Sequence, residues 1–334
     1  MVKRVGNLME RIASLENLHE AFLRASRGKS GKKSVVVFRE HLDDNLLAIQ
    51  QQLLNGRYEV GNYHFFTIHD PKKRTICAAS FPDRVVFHAL MRICHPVFDN
   101  YQIFDSYASR QGKGTYKAIE RAQQFCRRYQ WFAKLDVCKY FDSIHHDVLR
   151  QQLCRLFKDS QLLFMFDRIL ASYSVSEKRG LPIGNLTSQY FANHYLALAD
   201  HYAKEQLHVG AMVRYMDDIL LFSNSLYELK HQINHLSRYV KDSLRLDLHI
   251  PIVNRTTFGV PFLGYTVRGT HLRLCLRSRR RFVSKMRGLS RMVNDGSISE
   301  LEFTTRATCL FAFIEKAEIE DFKYHQSEKD GIYP

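Results

Sequence analysis

The chain has 334 residues, 45% hydrophobic and 25% charged, an ordinary globular composition that argues against a disordered polymer. Lys and Arg outnumber Asp and Glu 49 to 34, a formal charge of +15, which points to a polyanionic partner, nucleic acid first, with a merely basic soluble surface as the plainer alternative. No apolar run approaches the roughly 18–20 residues of a membrane span, the opening MVKRVGNLMERIASLENL lacks the continuous apolar core of a secretory signal, and the seven cysteines form no CxxC pair, so reduced, mostly buried thiols of a cytosolic protein are expected.

A helix is predicted over 6–27, where Leu8, Ile12, Leu15, Leu18, Phe22 and Leu23 recur at helical spacing. The Gly-, Ser- and Lys-rich stretch 26–34 reads as a mobile basic loop, and a second helix follows over 38–55, stopped at Gly56. β-Branched and aromatic residues alternate about Asp70–Pro71, so 63–81 reads as a hairpin with a basic turn. Then come a helix over 83–98, a strand in FAKLDV (132–137), helical 146–172, and a helix over 186–203 entered from LPIGN. Two short strands about a tight turn fill 212–222, a helix 227–244, and a strand pair VPFLGYTV. Residues 266–294 carry nine Arg or Lys and no acid, before a helical end that becomes acidic. Strands alternating with helices, without an internal repeat, predict an α+β protein with an antiparallel sheet.

The chemistry concentrates in MVRYMDDILLF, where Asp217 and Asp218 interrupt an apolar, strand-forming run. Neighbouring carboxylates in a poorly solvated turn resist joint ionisation, and a divalent cation removes that penalty. From this fragment alone a metal site and an ordinary solvated Asp-Asp turn are equally good readings. Asp136, at the end of FAKLD and 81 residues before Asp217, breaks the tie. Three carboxylates from two strand regions are what two-metal phosphoryl transfer needs. Gly112–Thr115 does not satisfy GxxxxGK[ST], which argues against a phosphate loop of that kind. His145 and His146 lack metal-ligand spacing and read as loop or surface residues.

LDVCKYFDSI followed by YMDD is similar to the palm motifs of reverse transcriptases. Between them, GLPIGNLTSQYFAN resembles the loop and helix under template and incoming nucleotide. PKKR and DRVVFHAL resemble the fingers motifs of group II intron and other bacterial reverse transcriptases, and FLGY the primer-grip hairpin. These elements stand in family order over 63–265. FDSYASRQGKGTYKA, with IGNLTSQ where many relatives carry QG…SP, narrows the resemblance to the diversity-generating retroelement branch. A retron-like or defence-associated reverse transcriptase and a non-catalytic RNA-binding polymerase relative are the alternatives.

The resemblance implies an α+β right-hand polymerase: an N-terminal helical extension (1–34), fingers (35–125), a palm with an antiparallel sheet (126–265, with 146–185 partly returning to the fingers) and a helical thumb (266–334). It implies an RNA-directed DNA polymerase in which Asp136 and Asp217 are the principal ligands of two Mg²⁺ ions, with Mn²⁺ as a substitute. The Val137 backbone and, less directly, Asp218 complete that set. Lys72 and Arg74 would neutralise the triphosphate, Phe141 would exclude a ribose 2′-OH, and Ile183, Gln189 and Met216 would meet the nucleotide. Phe262, Leu263, Gly264 and Tyr265 would grip the primer, with Arg255 just before them. Arg110, Lys113, Arg277, Arg279, Arg280 and Arg281 would follow nucleic-acid backbone, in a salt-dependent way.

Implied partners are a template-repeat RNA and its cDNA, deoxynucleoside triphosphates, and an accessory variability protein, a basic helical-bundle pentamer in the family. The acidic residues Glu315, Glu318, Glu320 and Asp321 would receive that protein. The implied setting is the cytoplasm of a bacterium, or of a phage's host. Ile183 departs from the LPQG type, which carries Gln at this place; the lost polar contact relaxes discrimination, in keeping with the error-prone copying of template adenines that the branch implies.

Overall fold

The computed structural model describes residues 3–69, 73–315 and 317. The first predicted helix is two, α1 (Met9–Ala13) and α2 (Leu15–Ser26). Ser14 leaves the helical region, and its hydroxyl accepts from the Asn17 amide as an N-cap. The second is also two, α3 (Lys33–Glu40) and α4 (Leu42–Leu54), broken at His41 (φ −125°, ψ 44°). Strands β1 (His64–His69) and β2 (Lys73–Ala78) form the expected antiparallel hairpin. Its turn, and with it Lys72, lies outside the described residues. Helix α5 (Phe81–Tyr101), capped by Ser80, packs on α2, and Leu18, Ala21 and Phe22 share one core with Val85, Val86 and Leu90.

Helix α6 (Thr115–Arg128) was not among the predicted elements. It buries Ala118, Ile119, Ala122, Phe125 and Cys126, a 3.6-residue stripe in an otherwise polar segment. After strand β3 (Trp131–Asp136) come α7 (Tyr140–Ser143), α8 (His146–Leu156), α9 (Ser160–Ala171) and α10 (Leu186–Tyr195). The predicted helix 186–203 does not run on unbroken: α11 (Ala197–His201) follows a break and passes into a π-helical turn, Tyr202–Gln206. Strands β4 (Ala211–Tyr215) and β5 (Asp218–Ser223) precede α12 (Leu226–Leu244). The rest is β6 (Ile252–Arg255), β7 (Val260–Phe262), β8 (Tyr265–Val267), β9 (Leu272–Leu274), α13 (Leu276–Asn294) and α14 (Glu300–Ile314). Strands β6 and β9 were not foreseen either; four and three residues are too short for a periodic signal.

The fold is α+β, and its sheets pair antiparallel. The central sheet has the order β4-β5-β3-β6, and a smaller one β7-β8-β9. Strand periodicity divides the interior in two. Ala133, Leu135, Met212, Ile219 and Leu221 face the large core built with α1–α5 and α8–α12. Phe132, Ala211, Val213, Leu220 and Phe222 face the other way, onto α6, the small sheet and α13. Three of the seven cysteines are buried, fewer than expected, and Cys309 is exposed. No helix among the described residues is long and apolar enough to cross a membrane.

Candidate active site

The register of the central sheet sets Asp136 directly opposite Asp218. Residues so paired have Cβ atoms about 4.5–5.5 Å apart, close enough for two carboxylates to repel. Asp217 lies in the two-residue turn between Tyr215 and Asp218, after Met216. Met216 takes φ 56°, a left-handed conformation strained for a bulky side chain. Burial pushes the Asp217 carboxyl up, and the Asp136 charge adds to this, while Arg74 and Lys134 oppose it. Burial likewise pushes Asp218 up, to about 6, against the pull of Lys134 and with help from Asp136 and Asp217. The three acids thus sense one another across 81 residues of chain. Asp218 Oδ2 accepts from Lys134 Nζ at 3.0 Å, whereas Oδ1 is buried without a partner.

Val137 forms a bridge with Leu248, but the bonds are made by its neighbours: Cys138 N to Asp247 O (2.8 Å) and His249 N to Asp136 O (2.9 Å). In that pattern the Val137 carbonyl turns to the other side of the strand. Among the described residues no group of three or more His, Cys, Asp or Glu side chains is already gathered to hold a metal ion. The donor chemistry nevertheless fits a hard cation: carboxylate oxygens, one of them buried and unpaired, in acids held short of easy ionisation.

A buried arginine braces the turn from behind. Arg214 and Asp200 are fully buried, and Arg214 Nε meets both Asp200 oxygens at 2.8 and 2.7 Å. Its remaining donors reach Asn193 Oδ1, Asn193 O, Gln102 Oε1 and, at 3.0 Å, the carbonyl of Met216. Sequence reasoning passed over Arg214, Asp200 and Lys134. The available signal was a charge within an apolar strand, which must be paired if it is buried.

Around this centre the structure gathers several predicted residues. Arg74 is exposed on β2, near enough to act on Asp217. The Ile183 carbonyl accepts from Cys77 N of the same strand at 2.8 Å, leaving the half-buried Ile183 side chain out of that bond. Gly184 follows at φ 115°, where an added Cβ would stand 2.8 Å from Ile76 Cγ2. Phe141 is half-buried on α7, and its carbonyl takes the Leu181 amide at 2.8 Å, strapping that helix to the loop. Gln189 is exposed on α10. Phe262 and Tyr265 are buried and paired, and Leu263 (φ 48°) and Gly264 (φ 89°) form the turn between them. Both φ values are positive, as in the I′ turns that suit a twisted hairpin. On α13, Arg279, Arg280, Arg287 and Arg291 line a groove of about 820 Å³ over Val283, Ser284 and Gly288. Arg277 and Arg281 are exposed on the same helix, and Arg255 lies over the Trp131 ring at 5.1 Å.

Two expectations, for Arg110 and His146, are corrected. Arg110 is an internal brace, its side chain 11% exposed and bonded to Asp99 at 2.6 Å and to the carbonyls of Ile103 and Ser106. Lys113 is half-buried; it donates to the Phe104 carbonyl at 2.8 Å and sits 3.6 Å from the Phe104 ring centroid, with two ammonium donors left over. His146 is buried, with Nε2 on the Gly180 carbonyl at 2.7 Å, not a surface residue. Of the acidic C-terminal set, Glu318, Glu320 and Asp321 lie outside the described residues.

The chain is similar to several intron-encoded proteins. It is 23% identical over 217 residues to the COX1/OXI3 intron 1 protein of Saccharomyces cerevisiae, covering 61% of this chain and 26% of that one. It is 24% identical to nuclear intron maturase 2, mitochondrial, of Arabidopsis thaliana (40% of this chain, 20% of that one), and 21% identical to protein YkfC of Escherichia coli (48% and 47%). The chain therefore spans from a fifth to about half of these relatives. Among solved structures, a telomerase from Candida albicans in complex with a TWJ fragment of telomeric RNA aligns at a TM-score of 0.48 and 12% identity, over 66% of this chain and 46% of that one; a likeness at that level carries no weight. The family of reverse transcriptases (RNA-dependent DNA polymerases) matches residues 69–267, more than half of the chain and all three acids included, and the chain belongs to that family.

Proposed function

We propose that the chain is an RNA-directed DNA polymerase acting at Asp136, Asp217 and Asp218. The observation that carries this is the cross-strand pairing of Asp136 with Asp218 beside the Asp217 turn. Asp136 and Asp217, with the Val137 carbonyl, would hold Mg²⁺, and Asp218, tied to Lys134, would contribute less directly. Magnesium is commonly held by one or two carboxylates together with substrate phosphates, so a closed protein cage is not required. The ions supply charge compensation on the transferring phosphoryl group. The chain's own residues do the rest. Arg74, with Lys72, neutralises the triphosphate; Phe141 limits the sugar; Ile183, Gln189 and Met216 meet the nucleotide; the 262–265 hairpin sets the primer end; and α13 follows the duplex backbone. In this reading 1–34 is an N-terminal extension, 35–125 the fingers, 126–265 the palm, with 146–185 partly returning to the fingers, and 266–334 the thumb.

More finely, the reading is a diversity-generating retroelement enzyme that copies a template-repeat RNA with errors at adenines and works with a basic accessory protein. It is supported by the motifs and by Ile183 in the LPIG loop. Primer extension on a defined RNA with Mg²⁺ tests the activity, and sequencing the cDNA tests the branch. Template-dependent product from the native chain, abolished by Asp217→Ala, is the expected result. No product, or product that ignores the template, refutes the activity. Errors spread evenly over the four template bases refute the branch and leave the polymerase.

A further inference from the structure

Lys134 precedes Asp136 by two residues on β3, so the strand period points both side chains to one face. Its ammonium donates to Asp218 Oδ2 at 3.0 Å and to the Pro261 carbonyl at 3.2 Å. The two acceptors belong to different sheets: Asp218 opens β5, and Pro261 lies within β7, next to the buried Phe262. Side-chain exposures of 21% for Lys134 and 19% for Asp218 keep this contact mostly out of water. A charge-assisted bond there is stronger than one between neutral groups. A compact ammonium with three donors can serve a carboxylate and a carbonyl together. The small sheet is otherwise held by apolar packing on α6 and by α6 side chains at its far end, so the Lys134 contact is its polar tie to the acid-bearing end of the central sheet.

We propose that Lys134 is a positioning residue that hooks the 260–267 hairpin to the Asp218 carboxylate. It thereby sets the distance between the turn that carries Asp217 and the hairpin that would seat a primer end. The consequence for synthesis rests on the polymerase reading; the hook itself is a property of the free protein. Holding Asp218 Oδ2 leaves the buried Oδ1 as the open oxygen of that carboxylate, beside Asp136 and Asp217.

The test uses the full chain with Lys134→Met and Lys134→Gln, which remove the charge, and Lys134→Arg, which keeps it. Hydrogen exchange of the metal-free protein reads the hook directly. Both neutral variants are expected to speed exchange of the 262–265 amides about tenfold, with the β1–β2 hairpin unchanged. On an RNA template with Mg²⁺, kcat for a matched primer end is expected to fall about tenfold while KM for the nucleotide stays within about twofold, since geometry and not nucleotide binding is lost. Lys134→Arg is expected to recover part of both. Unchanged exchange in the neutral variants, an Arg variant no better than they are, or a raised KM at unchanged kcat would overturn the proposal. So would loss of cooperative melting in both neutral variants, which would make Lys134 a folding residue. A native chain that makes no cDNA ends the polymerase reading, and the exchange result still decides the hook.

Discussion

Asp218 is pulled in opposite directions. Burial and two neighbouring acids raise its carboxyl to about 6, and Lys134 draws it down. A carboxyl whose folded value lies above its unfolded one contributes stability below the ordinary carboxylate range, and that contribution is lost as pH rises through about 6. We predict that in metal-free buffer at pH 8 Asp218→Asn melts above the native chain by roughly 2–4 °C, about 1 kcal/mol, and that the gap closes near pH 4. A lower melting point at pH 8 would mean that the Lys134 bond outweighs the burial penalty. Arg214 is the opposite case, a buried charge fully paired. We predict that Arg214→Met costs about 3–5 kcal/mol in denaturant unfolding, because it strands Asp200. The double variant with Asp200→Leu should cost less than the two single losses combined; strict additivity would rule out the coupling. Ile183→Gln alters only a side chain, since the loop's bond to Cys77 is made by backbone. A fall in misincorporation opposite adenine is expected, and an unchanged ratio removes Ile183 from fidelity.

Elements were legible where burial imposes one period on a long enough segment. The runs 132–137 and 212–222 are apolar almost throughout, as strands buried on both faces are, and the acids stand out because they interrupt those runs. Helix α6 was not legible because only five of its residues are buried, Ala118, Ile119, Ala122, Phe125 and Cys126, three of them small, in an otherwise polar and charged segment. The splits at Ser14 and His41 are single-residue backbone events inside continuous helical patterns. Arg110 was misread because its partner Asp99 lies eleven residues back, in the last turn of α5, and no local pattern announces that contact. The basic character of 266–294 was legible, with nine cations and no acid, but helix α13 within it was not, since its buried stripe is only Phe282 and Met286. Arg280 and Arg287 both line its groove. We predict that changing both to Gln weakens binding to RNA–DNA duplexes of any sequence and lowers the salt slope by about 1.5. An unchanged slope would place the nucleic acid elsewhere.

At the scale of the molecule, the central sheet separates two cores and brings its carboxylates to one end, between the β1–β2 hairpin, the 181–184 loop and the small sheet. The sequence supplied the acids and their order, but the register that sets Asp136 against Asp218 is a long-range property, as is the Arg214 brace behind the turn. The central claim is that these acids bind divalent metal as a unit. Replacing Mg²⁺ by Fe²⁺ with ascorbate and peroxide, and mapping where the chain is cut, tests it most directly. Cuts are expected near Asp136–Val137 and near Met216–Asp218, both suppressed by excess Mg²⁺ and both lost in Asp217→Asn. Cuts confined to other segments, or cuts at these two that persist in Asp217→Asn, would contradict it.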